Sequence, residues 1–258
     1  MIDRADILGC PIDRLGMADT LAAIERAIAG GRYTQHMAIN AAKLVAMKDD
    51  PRLCEIIDGC GLVNADGQSV VWASRLLRDP LPERVAGIDL MDALLALAAA
   101  RGYRVYFLGA RVEVLDRAVE RLQERYPRLQ VAGARDGYFN DEEAADVCNA
   151  IRTSRADVLF VAMSSPRKEY FLGEFGPDLG VPFVMGVGGS IDVIAGITRR
   201  APAAWQRLGL EWLYRLLQEP RRMFRRYAVT NTRFIALVGL ALLSCHASQP
   251  NRAQGELT

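Results

Sequence analysis

Two kinds of apolar pattern alternate along the chain. Short, nearly continuous apolar runs occur at Tyr33–Asn40, Gly61–Val63, Tyr103–Leu108, Leu129–Ala134, Ala156–Met163 and Val181–Val187. Between them lie stretches with helical periodicity: Asp19–Ala29, a segment around Leu44, Val45 and Met47, Arg52–Asp58, Ser69–Leu77, Ile88–Ala100, Val112–Tyr126, Asp141–Thr153 and a segment that starts at Arg167. The runs are short and bounded by Gly, Pro, Asn and Ser, so they read as strands. About six strands alternating with helices predict an α/β fold with a parallel sheet and right-handed crossovers. Ala156–Met163 has the composition of a central strand covered on both faces.

The alternation stops at Pro202. Trp205, Leu208, Trp212 and Leu216 are spaced to share one helical face, and Arg215, Arg222 and Arg225 to share one side. Pro220 breaks or kinks this segment. Phe234–Cys245 is almost wholly apolar, yet shorter than the ~20 residues of a membrane-spanning helix, so it is expected to lie in an interface or on a partner. Beyond Ser248 the composition is that of a disordered tail. The expected organisation is a catalytic core over 1–198, a basic amphipathic helical appendage over 199–246 and a tail over 247–258.

Bulk composition narrows the reading only a little. The 258 residues are 51% hydrophobic and 24% charged, with a net charge of +1, so overall charge selects no anionic partner and no nucleic acid is expected. The distribution says more: Arg215, Arg221, Arg222, Arg225, Arg226 and Arg233 crowd one stretch beside an apolar one. Such a pair of features attracts anionic lipid headgroups, at roughly 1 kcal/mol per basic residue near the surface. It also describes a helix pair packed on the core with a solvated basic face. The five cysteines form no Cys-x-x-Cys pair and there are only two histidines, which disfavours a zinc site and fits reduced thiols in the cytosol. The first residues contain no apolar core of a signal peptide.

Candidate chemistry collects at strand ends, where open α/β sheets hold their ligands. Asn40 and Asp66 end successive strands, so parallel neighbours would bring them to one sheet edge; each is equally a helix N-cap by residue type. The turn carrying Asp66 is Asn64-Ala65-Asp66-Gly67. Arg84 lies in the Pro- and Gly-containing loop Leu81–Gly87, as a site residue or a solvated surface charge. Gly109 ends a strand but lacks the rest of a dinucleotide fingerprint, so it is a weak nicotinamide signal. Ser164-Ser165-Pro166 leads into Arg167 and Lys168, a helix start suited to a phosphate or a sugar hydroxyl. Gly188-Gly189 permits close approach of a ligand, and Asp192 follows within hydrogen-bonding range of a nucleoside. Gly137-Tyr138-Phe139 is a loop motif.

Four stretches together resemble the WecG/TagA/CpsF family of bacterial glycosyltransferases over about residues 5 to 230: Asn64–Gly67, Leu81–Gly87, Gly186–Asp192, and Arg199–Pro202 with Arg207–Arg222. The resemblance implies a Rossmann-like core with a C-terminal helical appendage. It implies a cytoplasmic enzyme, peripheral on the inner face of the cell membrane, that passes a sugar from a UDP-sugar to a sugar on a polyprenyl diphosphate with inversion. By the same resemblance Asp66 is the general base and Arg84 the arginine of the catalytic loop. Arg215, Arg222 and Arg225 hold the donor diphosphate or the lipid, and Tyr138 and Asp192 lie near the nucleotide. The chain departs from the family pattern at Ala38, where Thr is usual, and at Lys168, where Gln is usual. Both departures fall at the expected sugar or acceptor site and bear on the donor sugar rather than the reaction class.

Displacing UDP needs a base for the acceptor hydroxyl and positive charge on the leaving diphosphate. The sequence has no Asp-x-Asp, so arginines and helix N-termini are expected to supply that charge without a metal or other cofactor. The favoured donor is of the N-acetylmannosamine type, with UDP-glucose in exopolysaccharide synthesis as the alternative. A non-catalytic nucleotide-sugar-binding subunit is the second reading, and a nicotinamide oxidoreductase a remote third. The apolar C-terminal stretch is equally compatible with a homo-oligomer.

Overall fold

The computed structural model describes residues 2–218 and 220–247, and only the backbone of Arg222, Met223, Arg225, Arg226 and residues 245–247. The predicted tail beyond 247 lies outside the described residues. In chain order the elements are β1 (Arg4–Ile7), β2 (Cys10–Asp13), α1 (Met17–Ala29), β3 (Thr34–Ile39), α2 (Ala41–Met47), α3 (Pro51–Asp58), β4 (Leu62–Ala65), α4 (Gln68–Leu76), α5 (Gly87–Arg101) and β5 (Arg104–Gly109). They continue with α6 (Val112–Arg125), β6 (Gln130–Arg135), α7 (Ala144–Ser154), β7 (Val158–Ala162), α8 (Arg167–Phe175), β8 (Phe183–Gly186), α9 (Ser190–Ile194), α10 (Ala203–Arg207), α11 (Glu211–Gln218) and α12 (Pro220–Ala247).

Six strands form one sheet in the order β4-β3-β8-β7-β5-β6, and every pairing is parallel. The Rossmann-like α/β core expected from the alternation is therefore present, and β7 is an interior strand as its composition requires. Alternate residues serve opposite faces. Val105, Phe107, Val158, Phe160, Phe183 and Met185 pack under α1, α5 and α6. Tyr106, Leu108, Leu159, Val161 and Val184 pack under α7 and α8, while Met37, Ile39, Val63 and Ala65 meet α2, α3 and α4.

The β1–β2 hairpin is an addition to the expected pattern. Its loop is Leu8-Gly9, both with positive φ (59° and 82°), the backbone of a tight two-residue hairpin turn. Leucine is a poor marker for such a turn, and Gly9 N–H donates to Asp6 Oδ1 at 2.7 Å to hold it. The hairpin protects the free edge of β4: buried Asp13 accepts from Val63 N–H and from Arg4 Nε, both at 2.7 Å.

The C-terminal segment differs from its sequence reading. The periodic stripe from Trp205 to Leu216 is split between α10 and α11, because Gly209 takes a left-handed φ of +70° in the turn between them. A Cβ there would lie 2.7 Å from Gln68 Cγ, so only glycine lets this turn close over the start of α4. Arg215 and Arg222 thus belong to different helices. Pro220 begins α12, the position where its missing N–H costs nothing. The apolar C-terminal stretch is one part of a 28-residue helix, whose window Tyr227–Ser244 is long and apolar enough to cross a membrane by length and composition. Its inner stripe packs on the core: Phe234 and Val238 are buried with Met37 and Leu44, and Arg233 makes a two-bond ion pair with Asp49 at 2.8 and 3.0 Å.

Candidate active site

Parallel register brings the predicted site together. Ala38 pairs with Asn64 and Ile39 with Ala65, so Asn40 and Asp66 emerge side by side at the carboxyl edge of β3 and β4. The Asp66 N–H donates to Ile39 O at 2.8 Å, tying the two turns. Asn64 and Ala65, read from sequence as part of the turn, are the last residues of β4; the turn proper is Asp66-Gly67.

Asp66 does not cap its own helix. Gly67 is the N-cap of α4, with no side-chain cap. The Asp66 Oδ1 accepts instead from the N–H of Gly87, the first residue of α5, at 2.8 Å. The first N–H of α5 thereby fixes one oxygen of a side chain that lines the cleft. Asn40 does cap: its Oδ1 accepts from Lys43 N–H at 3.1 Å at the start of α2, and the residue also lines the cleft.

The cleft encloses about 580 Å³. Its floor is the strand ends with Ala38, Asn40, Asp66, Gly186 and Gly189, and its walls come from α4, the Arg84–Ile88 segment, α11 and α12. The departure at Ala38 sits on this floor: its Cβ, Asp66 Oδ1 and Met185 Cε all lie within 4 Å of the direction in which a side chain at Gly87 would point.

Arg84 enters the cleft already paired. Its Nη1 donates to Glu211 Oε2, and Glu211 Oε1 accepts from Arg200 Nε at 3.4 Å. Arg200 closes a two-bond pair with Asp89 at 2.6 and 2.7 Å. Two guanidinium groups and two carboxylates thus lock the first residue of α11 to the Leu81–Gly87 loop and to α5. Arg215, one turn further along α11, lines the cleft. Arg222 and Arg225 lie on α12 with side chains outside the described residues.

Under the floor, Glu169 is buried between two lysines, Lys43 Nζ at 2.8 Å and Lys168 Nζ at 3.0 Å on the same oxygen. Burial pushes the Glu169 carboxyl up, but the two ammonium groups outweigh it and hold the group below the ordinary carboxylate range. Lys168 therefore runs beneath the floor: a Cβ on Gly186 would be 2.8 Å from its Cε. Among the described residues, Glu169 Oε2 has no hydrogen-bond partner.

The remaining predicted residues lie on the same sheet edge but outside the cleft lining. Gly109 (φ +124°) is wedged against β7, where a Cβ would be 2.5 Å from the Ala162 carbonyl carbon; its glycine serves strand packing. Tyr138 follows β6 and is 69% exposed. Gly188 (φ +50°) faces open space, and Asp192 Oδ2 lies beside Gly189. The helix that follows the double glycine, α9, is only five residues long, too short to add a sizeable dipole at Gly188-Gly189. Sequence reasoning gave no role to Glu211, Arg200 and Asp89, nor to Trp72, Leu76, Phe234 and Ile235 in the cleft walls. Glu211 falls within the family-like stretch Arg207–Arg222, yet nothing in the sequence pairs it with a residue so far upstream.

Among the described residues no group of three His, Cys, Asp or Glu is arranged to hold a metal ion. The fold and the cleft define an α/β protein with the Asp66 carboxyl group and arginines gathered at the carboxyl edge of a parallel sheet, roofed by C-terminal helices. The chain belongs to the WecG/TagA/CpsF family of glycosyltransferases, whose family model matches residues 5–247. It is therefore a transferase of cell-surface polysaccharide synthesis, with a nucleotide-sugar donor and a sugar acceptor.

Proposed function

We propose that the protein transfers a sugar from a UDP-sugar to a sugar carried on a polyprenyl diphosphate, with inversion, at the inner surface of the cell membrane. The observation that supports this most is the Asp66 side chain on the lining of the cleft, held through Oδ1 by Gly87 N–H. In this reading Oδ2 takes the proton from the acceptor hydroxyl as that oxygen attacks the anomeric carbon. The carbon–oxygen bond to UDP breaks on the opposite face, which inverts the centre in a single displacement. Arg84 receives the charge that develops on the departing diphosphate, Arg215 meets the diphosphate of the acceptor, and Asn40 offers its amide N–H groups to a sugar hydroxyl. The apolar face of α12 and the arginines at its start bring the enzyme to anionic lipid, where the acceptor resides.

UDP release by the full chain tests the reading, with a synthetic polyprenyl-diphosphate sugar and a panel of UDP-sugars that includes UDP-N-acetylmannosamine and UDP-glucose. Release with one donor, undiminished by EDTA, is expected. Loss of all release on chelation would overturn the assignment of the charge-stabilising role to the arginines, and no release with any donor would overturn the reaction.

A further inference from the structure

The cleft has two arms of different chemistry. The polar arm holds Asn40, Asp66, Arg84, Ser190 and Glu211. The other runs between α4 and α12 and is lined by Trp72, Leu76, Phe234, Ile235 and Val238. Phe234 and Val238 are buried, but Trp72, Leu76 and Ile235 are 48%, 59% and 69% exposed. Single exposed apolar residues are ordinary on any surface. Three large ones along the facing walls of one cleft, continuous with a charged site, mark a place for an apolar ligand.

We infer that the α4–α12 arm is the binding subsite for the first isoprene units of the acceptor; this rests on the polyprenyl-diphosphate reading above. The order of groups along the cleft matches the order along such a molecule. The α4 helix leads away from Asp66, so Trp72 lies about 9 Å and Leu76 about 15 Å beyond it at the helical rise per residue. Helix α11 joins the two arms. Glu211 at its start meets Arg84, and Arg215 lines the cleft near Trp212, whose ring meets Tyr227 of α12 edge-on at 6.0 Å. A sugar hydroxyl at Asp66 and a diphosphate at Arg215 place the prenyl chain between Trp72 and Ile235. Leu240 and Leu243 continue an exposed apolar surface along α12, so the rest of the chain leaves the arm toward lipid. The segment of this chain beyond residue 247 does not suit the arm, since Leu257 is its only large aliphatic residue.

Tryptophan fluorescence of the full chain reads occupancy of the arm directly, because Trp72 and Trp212 line the cleft. The probes are inorganic pyrophosphate, isopentenyl diphosphate and farnesyl diphosphate below its micelle concentration. Affinity is expected to rise by about tenfold or more from isopentenyl to farnesyl, and Trp72→Ala and Ile235→Ala each to cut that gain while UDP affinity stays as in the parent chain. Equal affinity for the three probes, or a gain that persists in both variants, overturns the subsite. A dimer in sedimentation equilibrium that Ile235→Ala dissociates, with no farnesyl gain, overturns it in favour of a second copy in the arm. A chain-length gain that depends on Trp72, without transfer to any prenyl-linked sugar, upholds the subsite and rejects the proposed transfer to such an acceptor instead.

Discussion

At the scale of single residues, buried polar groups are what the fold holds most tightly. His36, in the middle of β3, places Nε2 3.1 Å from Asn64 Oδ1, and Asn64 Nδ2 donates to Thr20 Oγ1 at 3.1 Å. Because the amide oxygen accepts, Nε2 carries the proton and the ring is neutral. Burial pushes the His36 pKa down to about 4 from an ordinary 6.5, the Asn64 hydrogen bond and the Lys43 charge being smaller influences. The folded value lies below the unfolded one, so the unfolded chain takes up a proton that the folded chain refuses. Stability from this group is complete above pH 6.5 and falls as pH drops toward 4, by about 3 kcal/mol at most. Urea unfolding at pH 7 and pH 5 measures it: the parent chain should lose midpoint, and His36→Gln should flatten that part of the slope. An equal slope in the variant would place the pH dependence elsewhere.

At the scale of elements, the site depends on where α11 begins. Glu211 neutralises Arg84 and shares Arg200 with Asp89. The variant Glu211→Gln keeps the shape and leaves the Arg200–Asp89 pair in place, but returns a full charge to Arg84. UDP affinity by calorimetry should tighten by about 1 kcal/mol, a severalfold change; weaker binding would show that the ion pair positions Arg84 rather than competing for it. The same scale shows what the sequence revealed and what it hid. The alternating runs made β3 to β8 legible, because strand and helix periods differ and each of these strands meets a Gly, Asn or Ser within two residues of its end. Asn40 and Asp66 were legible as neighbours on the condition that their strands, consecutive in the main sheet, lie side by side in parallel, as sequential strands commonly do. The β1–β2 hairpin was hidden by Leu8 in a left-handed turn, and the break at Gly209 by a helical stripe that runs through it. Asp66 was read as a possible cap of the next helix; its partner Gly87 belongs to α5, a tertiary contact that no local pattern encodes. The Arg84–Glu211 pair spans the whole core and was hidden for the same reason.

At the scale of the whole molecule, the proposed function gives α12 the task of bringing the enzyme to its acceptor. One stripe packs on the core through Phe234, Val238 and the Arg233–Asp49 pair, while Leu240 and Leu243 are exposed beyond the cleft. The sequence at the start of α12 is rich in arginine, so in the proposed reading attachment to membranes should be jointly electrostatic and apolar. The full chain should sediment with vesicles containing anionic lipid, weaken steeply as salt rises past physiological strength, and largely ignore neutral vesicles. Equal binding to both would remove the arginines from the account. The most direct test of the central claim is a pair of readings on Asp66→Asn, a change that keeps the bond from Gly87 N–H and removes only the base. UDP binding equal to that of the parent chain, with transfer to the lipid-linked acceptor lost, is the predicted result. Transfer at the parental rate in that variant would contradict the account, since the proton would then be taken by another group.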